Sequence, residues 1–352
     1  MMEMGMMNKL PFVSALIVAR NEEKRIGKCF ASLLNQDYPS DRYEIIIIDG
    51  ESTDRTLTII ESEKVKAQKE GAIPEIRIVN NSKHILASGW NIGIKEAKGE
   101  YVIRPDAHAY VDKNFISKSV EVMLMVGDAA CVGGQMTTLS DTKTGDIIKE
   151  ALSSPFGVGG AKFRYQKTAG YVDTVAFGLY KKSVFEKIGY FNESLVRTQD
   201  NDLHRRMRDA GMRFYLDPEI HSYYYSRDSY RKLAKQQFNN GVWTMINFRL
   251  RPGKMSIRHF VPLAFVFAVV LTIIGGFVYQ PIWWLTLAGI VFHLLCGFLF
   301  AFKRTKQFSH ILILPFVFFM MHISYGCGSV VGFFKAFRVK KKVNHTGEMV
   351  CL

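Results

Sequence analysis

Several things are scarce in this sequence. The five cysteines, Cys29, Cys131, Cys296, Cys327 and Cys351, show no paired spacing. Neither a zinc site nor a disulfide framework is indicated, and a reducing cytosol suits the globular part. The opening stretch MMEMGMMNKLPF has no basic segment followed by a long apolar one, so no signal peptide is expected. There is no G-x-x-x-x-G-K-[ST] loop and no G-x-G-x-x-G turn, which leaves a P-loop and a dinucleotide-binding fold without support. Negative charge almost vanishes late in the chain. From residue 249 onward the basic residues are Arg249, Arg251, Lys254, Arg258, Lys303, Arg304, Lys306, Lys335, Arg338, Lys340, Lys341 and Lys342, and the one acid is Glu348.

That imbalance supplies most of the net charge of +14. Spread over a surface, such a charge would suit nucleic acid. Here it flanks apolar blocks, so no nucleic-acid partner is expected and the reading is retention beside a membrane. Phe260–Tyr279 and Ile282–Phe302 hold no charge until their ends, and Trp283 and Trp284 sit at the start of the second. A helix needs roughly 20 apolar residues to cross a bilayer core. Gln280 and Pro281 would join the two as a hairpin. A third block, Phe308–Phe334, is long enough but carries Ser309, His310, Pro315 and His322. If it crosses, it leaves KAFRVKKK on the far side, against the positive-inside tendency. A re-entrant or interfacial helix would remove the conflict. Three apolar membrane segments are expected, at about 260–279, 282–302 and 308–334, with the topology of the third left open.

The 352 residues are more than one compact domain needs. A globular domain is expected over 8–248, followed by a basic linker over 249–259, the membrane region over 260–334 and a basic tail over 335–352. Within the globular part, PFVSALIVA, YEIIIID, EIRIVN and YVIRPD read as strands. KRIGKCFASLLNQ, STDRTLTIIESEKVKAQKE and GWNIGIKEAK read as helices, the last capped by Ser88 and ended by Gly99. Alternation at this spacing predicts an α/β fold with a mostly parallel sheet. Ligands of such sheets bind beyond the carboxyl ends of the strands. ARNEE, DGESTD and PDAH fall at three of those ends.

On these residues the chain resembles the family 2 glycosyltransferases, inverting enzymes of the GT-A nucleotide-diphospho-sugar transferase fold. The matching pieces are VARNEEKRIGKCFASLLNQDYP, IIIIDGESTDRT, NIGIKEAKGEYVIRPDAH, VAFGLYKKSVFEKIGYFNE and TQDNDLHRRMRDAG, within residues 11–248. The DAH triplet, SPFGVGGAKFRY and QFNNGVW resemble more specifically the succinoglycan-type, ExoA-like exopolysaccharide transferases. QFNNGVW is also similar to the Q-x-x-R-W signature of processive synthases. Its arginine is missing and its spacing is longer, so processivity is not supported.

The resemblance implies a set of roles. Asn21, Glu22, Asp49, Glu51, Asp106 and Arg164 would bind the donor. The family usually shows two acids before the glycine after the second strand. Here the order is Asp49-Gly50-Glu51, so either carboxylate could do that work, and Asp49 could equally be a turn acid. Asn21 and Glu22 could instead cap a helix, and Arg164 could be an ordinary solvated arginine. Asp106 and His108 would hold a divalent cation. If the strand persists through them, both point to one face. A carboxylate suits Mg2+ or Mn2+, and imidazole shifts the preference toward Mn2+. Alternatively His108 bonds the diphosphate directly. Asp200 would be the general base, with Asp202 as the fallback. The competing reading of Asp200 is a helix N-cap. Tyr223, Tyr224, Gln237 and Trp243 would line the acceptor or lipid side, or simply be core.

The implied activity is inverting transfer of a sugar from a nucleotide-sugar donor, a UDP-sugar, to a polyprenyl-linked saccharide acceptor in exopolysaccharide or surface-glycan synthesis. The implied setting is a bacterial cytoplasmic membrane with the catalytic domain facing the cytoplasm. Two other classes stay open at this point: an inactive GT-A-fold binding or scaffold protein, and a processive polysaccharide synthase.

Overall fold

The computed structural model describes residues 10–250, 257–338, 341–343 and 349–351. The expected domain start at residue 8, Arg251 and Lys254 of the basic linker, and Lys340 and Glu348 of the tail lie outside the described residues. Two compact units emerge. One is the chain up to Thr137 together with Lys162–Tyr225. The other is Thr138–Ala161 together with the chain from Ser226 onward.

The first unit alternates strands and helices: β1 (Val13–Ala19), α1 (Ile26–Leu34), β2 (Tyr43–Asp49), α2 (Thr56–Glu70), β3 (Glu75–Asn80), α3 (Leu86–Glu96), β4 (Tyr101–Ile103), β5 (Ala109–Val111), α4 (Phe115–Val126) and β6 (Ala129–Leu139). After the excursion into the other unit by α5 (Lys143–Leu152) and α6 (Pro155–Val158), it resumes with β7 (Gly170–Val172), β8 (Leu179–Lys181), α7 (Ser183–Ile188), α8 (Gln199–Asp209) and β9 (Arg213–Tyr225). The strand order is β3-β2-β1-β4-β8-β6-β9-β5, with β7 paired to β9. Strands β3, β2, β1 and β4 run parallel. The pairs β4–β8, β6–β8, β5–β9 and β7–β9 are antiparallel. The sheet is therefore mixed, where the strand-helix alternation at the start of the chain predicts a mostly parallel one.

Its two faces follow the period of two. Val13, Ala15, Ile17, Ile45 and Ile47 pack with Ile26, Phe30 and Leu33 of α1. Leu16, Ile46 and Ile48 pack with Ala87, Trp90 and Ile94 of α3. Burial on both sides explains why β2 reads as a continuous apolar run. Each fully buried large side chain contributes about 1.5–3 kcal/mol of transfer free energy.

Two boundaries differ from the sequence reading. Helix α3 begins at Leu86, and Ser88 is inside it, bonded to Asn81 Oδ1 at 2.7 Å. The helix ends at Glu96, before Gly99. Gly99 is instead pressed against β1: a Cβ there would lie 2.7 Å from the Ser14 nitrogen. Strand β4 stops at Ile103 rather than running through Asp106. Pro105 has no N–H to give to a ladder, and the Ala109 N–H bonds Asp106 O at 2.9 Å to close a turn.

The second unit is helical: α5 and α6, α9 (Tyr230–Leu250), α10 (Val261–Val278), α11 (Ile282–Arg304) and α12 (Phe308–Arg338). The last three are long and apolar enough to cross a membrane. Helix α9 lies along α12 at backbone contact, because Gly328 and Gly332 face the carbonyls of Phe238 and Val242. Ile148 and Leu152 of α5 join Leu233, Leu314 and Phe318 in one cluster. Phe156 sits among His293, Phe300, Phe318 and His322. The sequence boundary at residue 248 thus does not coincide with the division between units. Residues 138–161 and α9 group with the apolar helices, since their apolar faces are covered there.

Candidate active site

The chain turns at the carboxyl ends of β1 and β2 are laced together. Asn21, at φ 55°, accepts the Thr53 N–H on Oδ1 at 2.8 Å. Its own N–H donates to Ser52 Oγ at 3.0 Å. The Glu22 N–H donates to Thr56 Oγ1 at 2.8 Å. Asp49 is buried and both its oxygens accept from Ser52, one from the N–H at 3.0 Å and one from the hydroxyl at 2.6 Å. Glu51 is left-handed at φ 56°, and its Oε2 lies 2.6 Å from His84 Nε2. That hydrogen bond, then one from Asn80, holds the Glu51 carboxyl below its ordinary range. Of the two candidate acids here, Asp49 shapes the turn and Glu51 reaches outward toward His84.

The turn after β4 brings the next group. His108 Nδ1 lies 3.4 Å from Glu22 Oε1, and the His108 ring meets Tyr224 edge-on at 5.3 Å. Arg164 lies 5.6 Å from the Tyr224 ring centroid, and burial lowers its pKa. Asp106 makes no side-chain hydrogen bond among the described residues. Its pKa is raised, first by burial. His108 opposes the rise, Asp200 adds to it, Arg104 opposes it and Glu22 adds to it. The Asp106 carboxyl thus has two acidic and two basic neighbours.

Asp200 is the second residue of α8, one past Gln199. The N-cap is Thr198, left-handed at φ 61°, so Asp200 does not cap the helix. Its Oδ1 accepts from Arg104 Nη2 at 2.7 Å, and Oδ2 has no hydrogen bond among the described residues. The side chain is 48% exposed. Asp202 is 1% exposed and paired with Arg206 Nε at 3.0 Å. An acid so enclosed and so engaged is a poor acceptor for an external proton.

Tyr223 and Tyr224 alternate along β9 as strand geometry requires. Tyr224 faces His108, whereas Tyr223 stacks on Tyr110 at 4.6 Å. Only Tyr224 joins the cluster. Gln237 and Trp243 lie on α9, in the second unit. Sequence reasoning missed Arg104, Tyr180 and His204. The one signal for them is the spacing of His204 four residues after Asp200, which puts both on one face of α8.

Among the described residues, no three His, Cys, Asp or Glu are grouped closely enough to hold a metal ion unaided. Asp106 and His108 still fit a divalent cation. Burial and acidic neighbours penalise the Asp106 carboxylate more than His108 and Arg104 relieve it, and it makes no side-chain hydrogen bond among the described residues, so a cation there would offset the penalty. Mg2+-type ions are commonly held by one or two protein groups plus substrate phosphates.

Residues 14–189 match the family described as glycosyl transferase family 2. A Methanococcus voltae protein is 32% identical over 322 residues, covering 90% of this chain and 95% of its own length. Its name is dolichyl N-acetyl-alpha-D-glucosaminyl phosphate 3-beta-D-2,3-diacetamido-2,3-dideoxy-beta-D-glucuronosyltransferase. The succinoglycan biosynthesis protein ExoA of Rhizobium meliloti is 26% identical over 283 residues, 78% of this chain and 83% of that protein. Among solved structures, the mannosyltransferase PcManGT of Pyrobaculum calidifontis, in complex with GDP-Man and Mn2+, superposes with a TM-score of 0.60 at 15% identity. The match covers 94% of this chain and 89% of that one.

Proposed function

Since the chain belongs to glycosyl transferase family 2 and carries its GT-A-like α/β fold, we propose that it transfers one sugar, with inversion, from a UDP-sugar to a lipid-linked saccharide phosphate. The observation that carries this reading is the setting of Asp200: Arg104 holds its Oδ1 at 2.7 Å, while the side chain is 48% exposed and Oδ2 accepts no hydrogen bond among the described residues.

In this reading Asp200 is the general base. As the acceptor hydroxyl oxygen bonds to the anomeric carbon, its proton passes to Asp200 Oδ2, and the bond from that carbon to the diphosphate breaks. Attack opposite the departing group turns an α-linked donor into a β-linked product. Asn21, Glu22, Asp49 and Glu51 line the nucleoside side. Arg164 and Tyr224 flank the diphosphate side, where a desolvated guanidinium favours an anion. Asp106 and His108 would hold Mn2+ or Mg2+, which neutralises charge developing on the departing nucleoside diphosphate when bound.

The lipid acceptor rests on two supports. Three helices are long and apolar enough to cross a membrane, and the Methanococcus voltae relative is named for a dolichyl-linked acceptor. The catalytic unit faces the cytoplasm in this reading, since Arg258, Lys303, Arg304 and Lys306 flank the apolar helices. The test is nucleotide release by the full-length protein from a panel of UDP- and GDP-sugars, with lipid extract and Mn2+. Release from one UDP-sugar that needs the lipid extract is expected. Tight nucleotide binding without turnover of any donor would overturn the enzyme reading.

A further inference from the structure

We propose that Arg104 is a positioning residue that aims the Asp200 carboxylate, and that a buried Tyr180–His204–Thr174 chain holds Arg104 in place. The inference rests on the reading of Asp200 as the base.

The geometry is specific. Arg104 is 5% exposed, and its Nη2 donates both to Asp200 Oδ1 at 2.7 Å and to the Tyr180 hydroxyl at 2.9 Å. The Tyr180 oxygen thus receives a hydrogen bond from the arginine and has its own proton left to give. It lies 2.6 Å from His204 Nε2. Burial, the leading cause, pushes the His204 pKa down to about 3, so the ring is neutral. With Nε2 taking the Tyr180 proton, the ring proton sits on Nδ1, which lies 2.7 Å from Thr174 Oγ1 and donates to it. This tautomer gives Tyr180 both a donor and an acceptor role, with the arginine, which can only donate, at the head of the chain. The chain also closes on itself, because His204 and Asp200 are one turn apart on α8.

The guanidinium cannot swing. It lies 5.3 Å from the Trp90 ring, 5.1 Å from Tyr180 and 4.8 Å from Phe191. A purely structural role accounts poorly for it. Its Nε is buried with no hydrogen bond among the described residues, and its ionic partner is half in solvent. An apolar residue of that size would fill the same space without burying a charge. What only the arginine supplies is the fixed orientation of one carboxylate oxygen, which leaves Oδ2 turned to the acceptor. Displacement of a reacting group by an ångström costs on the order of 100-fold in rate.

The test is a double-mutant cycle in the full-length protein, reading nucleotide release from the best UDP-sugar of the panel with lipid extract as acceptor. Asp200→Asn is expected to lose about 10²- to 10⁴-fold in kcat. Arg104→Met is expected to lose about 100-fold in kcat with donor KM changed less than about threefold. The double variant should be no worse in kcat than Asp200→Asn, the result expected of a residue that works through Asp200. Millimolar guanidinium should restore part of the activity of Arg104→Ala and none of Asp200→Asn. If Arg104→Met does not fold, Tyr180→Phe decides, with an expected loss of about tenfold in kcat at unchanged donor KM in a variant that still unfolds cooperatively. An Arg104→Met enzyme with wild-type kcat, a raised donor KM alone, or losses that multiply in the double variant would overturn the inference while leaving Asp200 as base. An active Asp200→Asn enzyme would instead remove the base reading, and this inference with it.

Discussion

Asp106 and His108 show what a single residue's surroundings decide. The D-x-H spacing is plain in the sequence, but its geometry is not. A strand through both residues would set them on one face. Pro105 ends the ladder, and the turn closed by the Ala109 N–H on Asp106 O presents them instead. The acids after β2 were equally legible as a pair and equally unresolved as to role. Only the Ser52 contacts mark Asp49 as the acid that shapes the turn. If His108 shares the cation with Asp106, His108→Ala should raise the Mn2+ concentration for half-maximal activity about tenfold or more, the scale of losing a metal-site contact. A Mn2+ titration of turnover reads this. An unchanged midpoint with a weaker donor KM would move His108 from the metal to the diphosphate.

At the scale of elements, α8 carries both the half-exposed Asp200 and the enclosed His204. The apolar repeat Leu203, Met207 and Ala210 announces the helix in the sequence. The burial of His204 does not show there, because it depends on β8 and on the end of β4 arriving from distant parts of the chain. Its depressed pKa has a signed consequence. Below its ordinary value of 6.5, the unfolded chain takes up a proton that the folded protein refuses until about pH 3. Stability through this group is therefore complete above pH 6.5 and falls by about 1.4 kcal/mol per pH unit below it. Tyr180, Thr174, Arg104, Arg208 and Asp200 face the ring. The cationic neighbours reinforce the effect and Asp200 opposes it. Between pH 6.5 and 4.5, the unfolding midpoint of the wild-type protein should fall more steeply than that of His204→Asn. Parallel slopes would contradict this. A second element-level expectation concerns α9 and α12. Gly328→Ala drives a Cβ into the Phe238 carbonyl, whereas Gly289→Ala meets nothing within 4 Å. The first should cost about 1–3 kcal/mol and the second close to nothing, read as thermal midpoints in detergent.

For the whole molecule, the apolar segments were legible almost to the residue. The expected 260–279, 282–302 and 308–334 became Val261–Val278, Ile282–Arg304 and Phe308–Arg338. Composition alone suffices there, because the outward apolar residues of such helices need no protein partner: Phe277, Val278 and Trp284 stay 79%, 88% and 71% exposed. The grouping of α5, α6 and α9 with those helices was not legible. An amphipathic face such as Ile147, Ile148, Ala151 and Leu152 reads alike whether a sheet or a membrane helix covers it. The polar turns after β1, β2 and β4, which the structure links to one another, were visible because their motifs are local. The Arg104–Asp200 contact joins residues far apart in the chain, and no local pattern carries it.

The central claim is a single inverting transfer to a lipid. It is tested most directly by incubating the full-length protein with its UDP-sugar and a polyprenyl-phosphate-linked sugar, then determining the mass and anomeric configuration of the lipid product. One added sugar in β linkage is the predicted result. An α-linked product, a long polymer, or no lipid product despite nucleotide binding would contradict it.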